Sequence, residues 1–136
     1  YGNDISPEVL KEAANVLQLE GLSDKNAKLF LTDNLDFHEL SGKKFDFIHA
    51  QSVLSHMPPE DIETLFRNLG KIMHRDSQFI ASFFLSKDDT IYPFHNMKNF
   101  AFPMKWLTET GKVNNLNVEL LETDSKQKVM RVTLAS

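Results

Sequence analysis

The sequence predicts an α/β fold with a mostly parallel sheet. Two runs of β-forming and apolar residues, Phe45–Ala50 and Phe79–Leu85, flank a stretch with helical periodicity. The apolar residues of that stretch form one stripe: Ile62, Leu65, Phe66, Leu69, Ile72 and Met73. The second run is almost continuously apolar, which indicates a strand covered on both faces. Two buried strands joined by an amphipathic helix predict a right-handed βαβ unit with parallel strands.

The ends of this helix carry residues that suit its dipole. Pro59 fits the first helical position, and acidic Glu60 and Asp61 follow it. Basic residues gather toward the other end: Lys71, His74 and Arg75. A turn is predicted over residues 74–77, because aspartate and serine are good turn formers.

The chain before this unit predicts a strand end, a helix and another strand. Residues 1–5 are typical of the tail of a strand, and Ser6 and Pro7 of a helix start. The helix is expected to stop near Gly21. Ala27–Thr32 then predicts a further strand, which ends at Asp33.

The chain after this unit predicts a loop, a short helix and a hairpin. Residues 86–102 are expected to be irregular and are rich in aromatic residues, which fits a ligand pocket or a loop that packs its own rings. A short helix over Pro103–Thr110 is expected to end at Gly111. Asn117–Glu122 and Lys128–Leu134, with a turn over 123–126 between them, predict an antiparallel hairpin.

Composition excludes several classes of function. The 136 residues fit a single domain, and a net charge of -4 argues against a nucleic-acid partner. There is no cysteine, and no histidine pair has zinc-motif spacing, so no metal site is predicted. No apolar stretch approaches the roughly 20 residues of a membrane helix, so no membrane partner is expected. These features are compatible with a cytoplasmic protein.

One long segment resembles a known family. The run FDFIHAQSVLSHMPPED, from Phe45 to Asp61, is similar to the fourth strand and following loop of class I S-adenosylmethionine-dependent methyltransferases. The similarity continues into the next strand, and Gly2–Leu10 is similar to the second strand and helix of the same family. The resemblance implies a Rossmann-like sheet with a C-terminal antiparallel hairpin, S-adenosylmethionine as cofactor, and methyl transfer to a small or medium acceptor molecule.

The resemblance also implies roles for residues at strand ends. Asp4, beside Ile5, would grip the ribose of the cofactor, although an acid there also suits a residue that merely flanks a helix. Asp33 would approach the adenine amino group and the backbone of Asn34 the ring, although this stretch is equally typical of an ordinary turn. Gln51 would contact the methionine end of the cofactor.

His56 is the candidate catalytic residue. It is the only nearby side chain that could take a proton near neutral pH, and it is equally well explained as a surface histidine before a helix. His95 lies in the aromatic loop and could meet His56 in space.

The resemblance does not include the family's first strand or its glycine-rich turn. The five glycines are far apart, so no Gly-x-Gly pattern occurs elsewhere. We therefore expect residues 1–136 to form one methyltransferase-like domain that is incomplete at its N-terminus, with the gap in the sheet closed by direct pairing of its neighbours or by a second copy of the chain. The alternative function is a non-catalytic, self-associating module that cannot bind the cofactor alone.

Overall fold

A computed structural model describes residues 1–121 and 124–136. The chain divides into two compact units, Tyr1–Leu35 and Asp36–Ser136, and each is described by itself. Among the described residues, no helix has both the length and the apolar character needed to cross a bilayer.

The first unit is a parallel strand pair with one helix. Strand β1 (Gly2–Asp4) pairs with β2 (Leu29–Leu31), and helix α1 (Pro7–Leu19) lies between them in the chain. The Ser6 side chain accepts a 3.2 Å hydrogen bond from the Val9 backbone, so the predicted N-cap is confirmed. The strand predicted over 27–32 is shorter than expected.

The second unit is built on a six-stranded mixed sheet. Its strands are β3 (Phe45–Ala50), β4 (Met73–Leu85), β5 (Tyr92–Phe94), β6 (Asn99–Phe102), β7 (Leu116–Leu121) and β8 (Lys128–Leu134). Its helices are α2 (Pro59–Leu69) and α3 (Met104–Val113). The order is β5-β6-β4-β8-β7, and β3 also pairs with β4.

Strand β4 runs through the middle of this sheet. It pairs in parallel with β3, as predicted, and in parallel with β6 near its end. It pairs with β8 in antiparallel orientation. Phe79, Ala81 and Phe83 point to one face and are buried, whereas Ile80 and Phe84 on the opposite face are half-buried, so the expected complete burial is found on one face of the strand only. The predicted α/β class follows from these pairings.

The predicted boundary between the helix and the second strand is wrong. Helix α2 ends at Leu69, and the residues predicted as a turn, 74–77, belong to an irregular start of β4. The register shifts here, since Phe45 pairs with Met73 but Phe47 pairs with Gln78. The Ser77 hydroxyl accepts from the His74 backbone (2.7 Å) and donates to the Phe45 carbonyl (2.6 Å). These two bonds hold the bulged segment against β3.

The segment predicted to be irregular, 86–102, contains a β-hairpin instead. Strands β5 and β6 pair in antiparallel orientation and are joined by a turn in which His95, Asn96 and Met97 all have positive φ. Side-chain periodicity does not predict such short strands, because each is only three or four residues long and shows too few alternations.

The prediction that the helix ends at Gly111 is wrong. Gly111 lies inside α3. A Cβ at this position would lie 2.5 Å from Cγ2 of Val118 and 3.2 Å from the Leu116 carbonyl oxygen. The glycine therefore allows α3 to approach β7 closely.

The C-terminal hairpin is confirmed. Strands β7 and β8 are antiparallel, with Leu116 paired to Leu134 and Leu121 to Val129. The predicted end of the first strand at Glu122 and the start of the turn at Thr123 lie outside the described residues. Within the first unit β1 pairs with β2, and within the second unit β3 pairs with β4.

Replacing Gly111 with alanine should destabilise the protein. Overpacking against the stiff Val118 side chain is expected to exceed the helix-propensity gain of alanine, for a net loss of about 1–2 kcal/mol in unfolding free energy. Urea unfolding followed by Trp106 fluorescence measures this loss. Gly70→Ala is the control, because its Cβ would lie an ordinary 3.8 Å from Leu134. Equal stability of the two variants would refute the close-packing role.

Candidate functional site

The first unit brings two of the predicted site residues to one edge. Asp4 is the last residue of β1 and pairs with Leu31, the last residue of β2. Asp33 follows two residues later. Because the strands are parallel, their carboxyl ends meet at the same edge, which is where α/β proteins bind ligands.

Asp4 is half-buried and supports the helix entry. Its Oδ1 atom accepts a 2.9 Å hydrogen bond from the Ser6 backbone, and its carbonyl accepts one of 3.0 Å from the Thr32 backbone. Both alternatives for Asp4 are thus compatible with the geometry, because a carboxylate that flanks a helix retains acceptor capacity at its second oxygen. The neighbouring Ile5 is 75% exposed.

Asp33 and Asn34 form an exposed turn after β2. The Asn34 side-chain amide donates to Asp33 Oδ1 at 3.3 Å, and the Thr32 hydroxyl donates to the Asn34 carbonyl at 3.3 Å. The local bonds are those of an ordinary turn, and they hold an exposed carboxylate at the strand end.

The second unit places Gln51 and His56 beyond the carboxyl end of β3. Gln51 is exposed and directly follows the strand. The next residue, Ser52, has a left-handed backbone (φ 55°) and donates its N–H to the Ser82 hydroxyl at 2.7 Å. The Gln127 side-chain oxygen accepts from Ser82 (2.6 Å) and from the Ser52 hydroxyl (3.2 Å).

This polar cluster of Ser52, Ser82 and Gln127 was missed by the sequence analysis. Ser52 lies just after β3, Ser82 lies within β4, and Gln127 is the residue before β8, so the members are up to 75 residues apart. No local pattern marks them, because a serine inside an apolar strand is common. Only the pairing of β4 with both β3 and β8 brings them together.

His56 contacts the β5–β6 hairpin. Its Nδ1 atom lies 3.2 Å from the Lys98 carbonyl oxygen. A carbonyl only accepts, so this bond places the proton on Nδ1, and in the neutral ring Nε2 is then the acceptor. The Lys98 backbone in turn donates to the His95 carbonyl at 3.2 Å, so both histidines adjoin the same turn.

The aromatic segment packs partly on itself and is partly exposed. Phe94 packs edge-on against Phe84, with ring centroids 5.1 Å apart, while Tyr92 is exposed. The Tyr92 hydroxyl donates a 2.6 Å hydrogen bond to Asp88. This bond lowers the pKa of the Asp88 carboxyl and raises the pKa of the Tyr92 phenol.

The loop after β3 also contains a buried hydroxyl, that of Ser55, which is 1% exposed. Within the described part of the chain its oxygen has no hydrogen-bond partner. The same described residues contain no group of three or more histidine and acidic side chains able to hold a metal ion.

A model of one protein family, described as a methyltransferase domain, matches residues 1–81. This span includes both strands of the first unit, β3, α2 and part of β4. The chain belongs to the methyltransferase domain family. The predicted family is therefore confirmed. No curated protein matches this methyltransferase-family chain at a significant level.

Solved structures confirm the Rossmann-like methyltransferase fold. An O-methyltransferase family protein from Burkholderia thailandensis has a TM-score of 0.76 and 12% identity, covering 99% of this chain and 43% of that one. Magnesium protoporphyrin IX methyltransferase from Synechocystis PCC 6803, solved with bound S-adenosylmethionine, has a TM-score of 0.69 and 22% identity, covering 99% and 59%. An S-adenosylmethionine-dependent methyltransferase from Clostridium acetobutylicum ATCC 824 has a TM-score of 0.72 and 16% identity, covering 98% and 74%. The chain thus spans less than two thirds of the first two proteins.

The substitution Tyr92→Phe should raise the pKa of the Asp88 carboxyl, because it removes the largest cause of the lowered value. The return should be incomplete, since the Thr90 backbone still donates to Asp88 at 2.9 Å. Carboxyl-carbon NMR titration measures the shift. The stabilisation from Asp88 is present above the carboxyl's unfolded pKa and is lost as pH falls through the lower folded one, so the variant should lose part of this acid sensitivity. An unchanged Asp88 titration would contradict the bond.

Proposed function

We propose that the natural protein containing these residues transfers a methyl group from S-adenosylmethionine to a small or medium acceptor molecule. The match to a methyltransferase domain over residues 1–81 carries this proposal. That span holds every strand end at which a candidate cofactor residue lies. The partner is then a small-molecule acceptor, with neither nucleic acid nor membrane involved, and the proposed location is the cytoplasm.

The cofactor roles in the first unit belong to Asp4 and its neighbours. The Oδ1 atom of Asp4 is used by Ser6, and the carboxylate retains acceptor capacity for ribose hydroxyls. Asp33 is exposed and suits the adenine amino group, which donates hydrogen bonds. The exposed apolar side chain of Ile5 and the backbone of Asn34 supply ring contacts.

The roles in the second unit belong to Gln51 and His56. Gln51 lies at the carboxyl end of a parallel strand and suits the polar methionine end of the cofactor. The contact with Lys98 leaves Nε2 of neutral His56 able to accept a proton from, or orient, an acceptor group.

The bound cofactor supplies a methyl group already activated by its sulfonium centre. The protein therefore contributes mainly by binding, by aligning the acceptor with the methyl carbon, and by excluding water. His56 contributes by orienting the acceptor or by taking its proton as the new bond forms. An assay of the natural protein with labelled cofactor and a panel of acceptors would identify the atom that is methylated.

Asp4→Asn should weaken binding of S-adenosylhomocysteine by roughly ten- to a hundredfold, as expected for loss of hydrogen bonds to a charged group. Asparagine retains an oxygen for the Ser6 bond but removes the charge and one acceptor. Isothermal calorimetry on the natural protein measures the affinity.

The matched control is Ser6→Ala. It removes the N-cap of the same helix, at a cost of about 1 kcal/mol in stability, but leaves the carboxylate in place. Affinity that falls equally in both variants would reject the ribose role of Asp4. Absence of any binding by the unmodified protein would reject the proposed function.

A second candidate, a self-associating module without catalytic activity, is favoured by one observation. Within the described ranges, β3 pairs along only one edge, with β4. Its Phe47 side chain is 74% exposed. A strand edge with an exposed aromatic residue is a template for pairing with another chain, here a second copy. In this reading the isolated chain binds S-adenosylhomocysteine weakly or not at all.

Phe47→Lys should convert a self-associated chain into a monomer, because a lysine on an edge strand opposes edge-to-edge pairing. Analytical ultracentrifugation of the isolated chain measures the state. Val113→Lys is the control, since Val113 is an apolar residue on α3 that is also mostly exposed. The hypothesis of a non-catalytic module would be rejected if the unmodified chain is monomeric and binds S-adenosylhomocysteine at micromolar concentration, and if Asp4→Ala abolishes that binding.

A further inference from the structure

The cluster of Ser52, Ser82 and Gln127 controls one peptide group, the bond between Gln51 and Ser52. The N–H of that peptide donates to the Ser82 hydroxyl at 2.7 Å. Ser82 is 9% exposed, and its own proton goes to the Gln127 side-chain oxygen at 2.6 Å. Ser82 thus accepts from one partner and donates to the other, so the direction of each bond is determined.

The orientation of this peptide group also determines the direction of the Gln51 carbonyl. The peptide bond between Gln51 and Ser52 is trans, so the N–H and C=O of this planar group point in opposite directions. With the N–H directed at Ser82, the Gln51 carbonyl oxygen points away from Ser82. The left-handed backbone of Ser52, unusual for a residue other than glycine, is held by the same bonds and by the Ser52 hydroxyl on Gln127.

We propose that Ser82 and Gln127 are positioning residues for the cofactor contact at Gln51. This inference rests on the proposed function, and it assigns a part in cofactor binding to β4 and to the residue that precedes β8. Neither residue needs to touch the cofactor. Together they hold the strand end after β3 in the single orientation that presents Gln51 to the methionine end. Preorganisation of this kind improves affinity, because the loop does not have to be ordered on binding.

The chain offers a matched control in Ser77. This serine is also on β4, is completely buried, and bridges β4 to β3 with the same pattern of bonds. It accepts from the His74 backbone at 2.7 Å and donates to the Phe45 carbonyl at 2.6 Å. Phe45 is the first residue of β3, so Ser77 acts at the opposite end of the strand from Gln51.

The test compares Ser82→Ala, Gln127→Leu and Ser77→Ala in the natural protein. We expect the first two to weaken S-adenosylhomocysteine binding about tenfold, and Ser77→Ala to leave it within about twofold. Urea unfolding of the same samples reports stability, and amide hydrogen exchange reports the Ser52 N–H. That exchange should become faster in Ser82→Ala and stay unchanged in Ser77→Ala. Gln127→Leu keeps the comparison available if Ser82→Ala does not fold, because Gln127 is only partly buried.

The outcomes separate this inference from the proposed function. Affinity that follows stability alike in all three variants would show that Ser82 and Gln127 act only structurally, and would overturn the positioning role while the function stands. Unchanged affinity in Ser82→Ala and Gln127→Leu, with normal binding by the unmodified protein, would do the same. Failure of the unmodified protein to bind S-adenosylhomocysteine would overturn the proposed function together with this role.

Discussion

The second unit depends on the hydrogen bonding of β4 along both of its edges. One edge is bonded to β3 and then to β6, and the other to β8. A buried strand must satisfy its backbone groups in this way, since an unpaired buried N–H or C=O costs free energy comparable to a lost hydrogen bond. The apolar side chains on one of its faces, such as Phe79 and Phe83, are completely or almost completely buried, and those on the other face, such as Ile80, are half-buried.

Two serines on β4 show how polar groups are accommodated in this buried strand. Ser77 and Ser82 each accept from one N–H and donate to one oxygen, so neither hydroxyl is buried without partners. Both connect β4 to β3, one at each end of the shorter strand. The strand pair is thus joined by side-chain bonds at the places where its backbone ladder becomes irregular or stops.

The placement of the candidate site follows from parallel pairing. Parallel strands end at the same edge, so residues that follow different strands are brought together without being close in the chain. In the first unit this applies to Asp4 and Asp33, and in the second unit the same pairing brings Ser52, which follows β3, to Ser82 within β4. Several of these residues also support local structure, as Asp4 does for the entry into α1. The proposed binding role of Asp4 is compatible with this bond to Ser6, because a carboxylate has more than one acceptor position.

The sequence by itself determined the α/β class, the strand at Phe45–Ala50, the start of α2 at Pro59 and the closing hairpin, because each depends on local periodicity, caps and turn residues. It also indicated the family and the strand ends where site residues should lie. It did not reveal the extension of β4 back to Met73, the helical position of Gly111, or the hairpin within 86–102. Tertiary structure decided these features. Ser77 donates a hydrogen bond to Phe45 of β3, Gly111 packs closely against Val118 of β7, and Ser82 donates to Gln127, which is 45 residues away in the chain. None of these contacts produces a local sequence pattern.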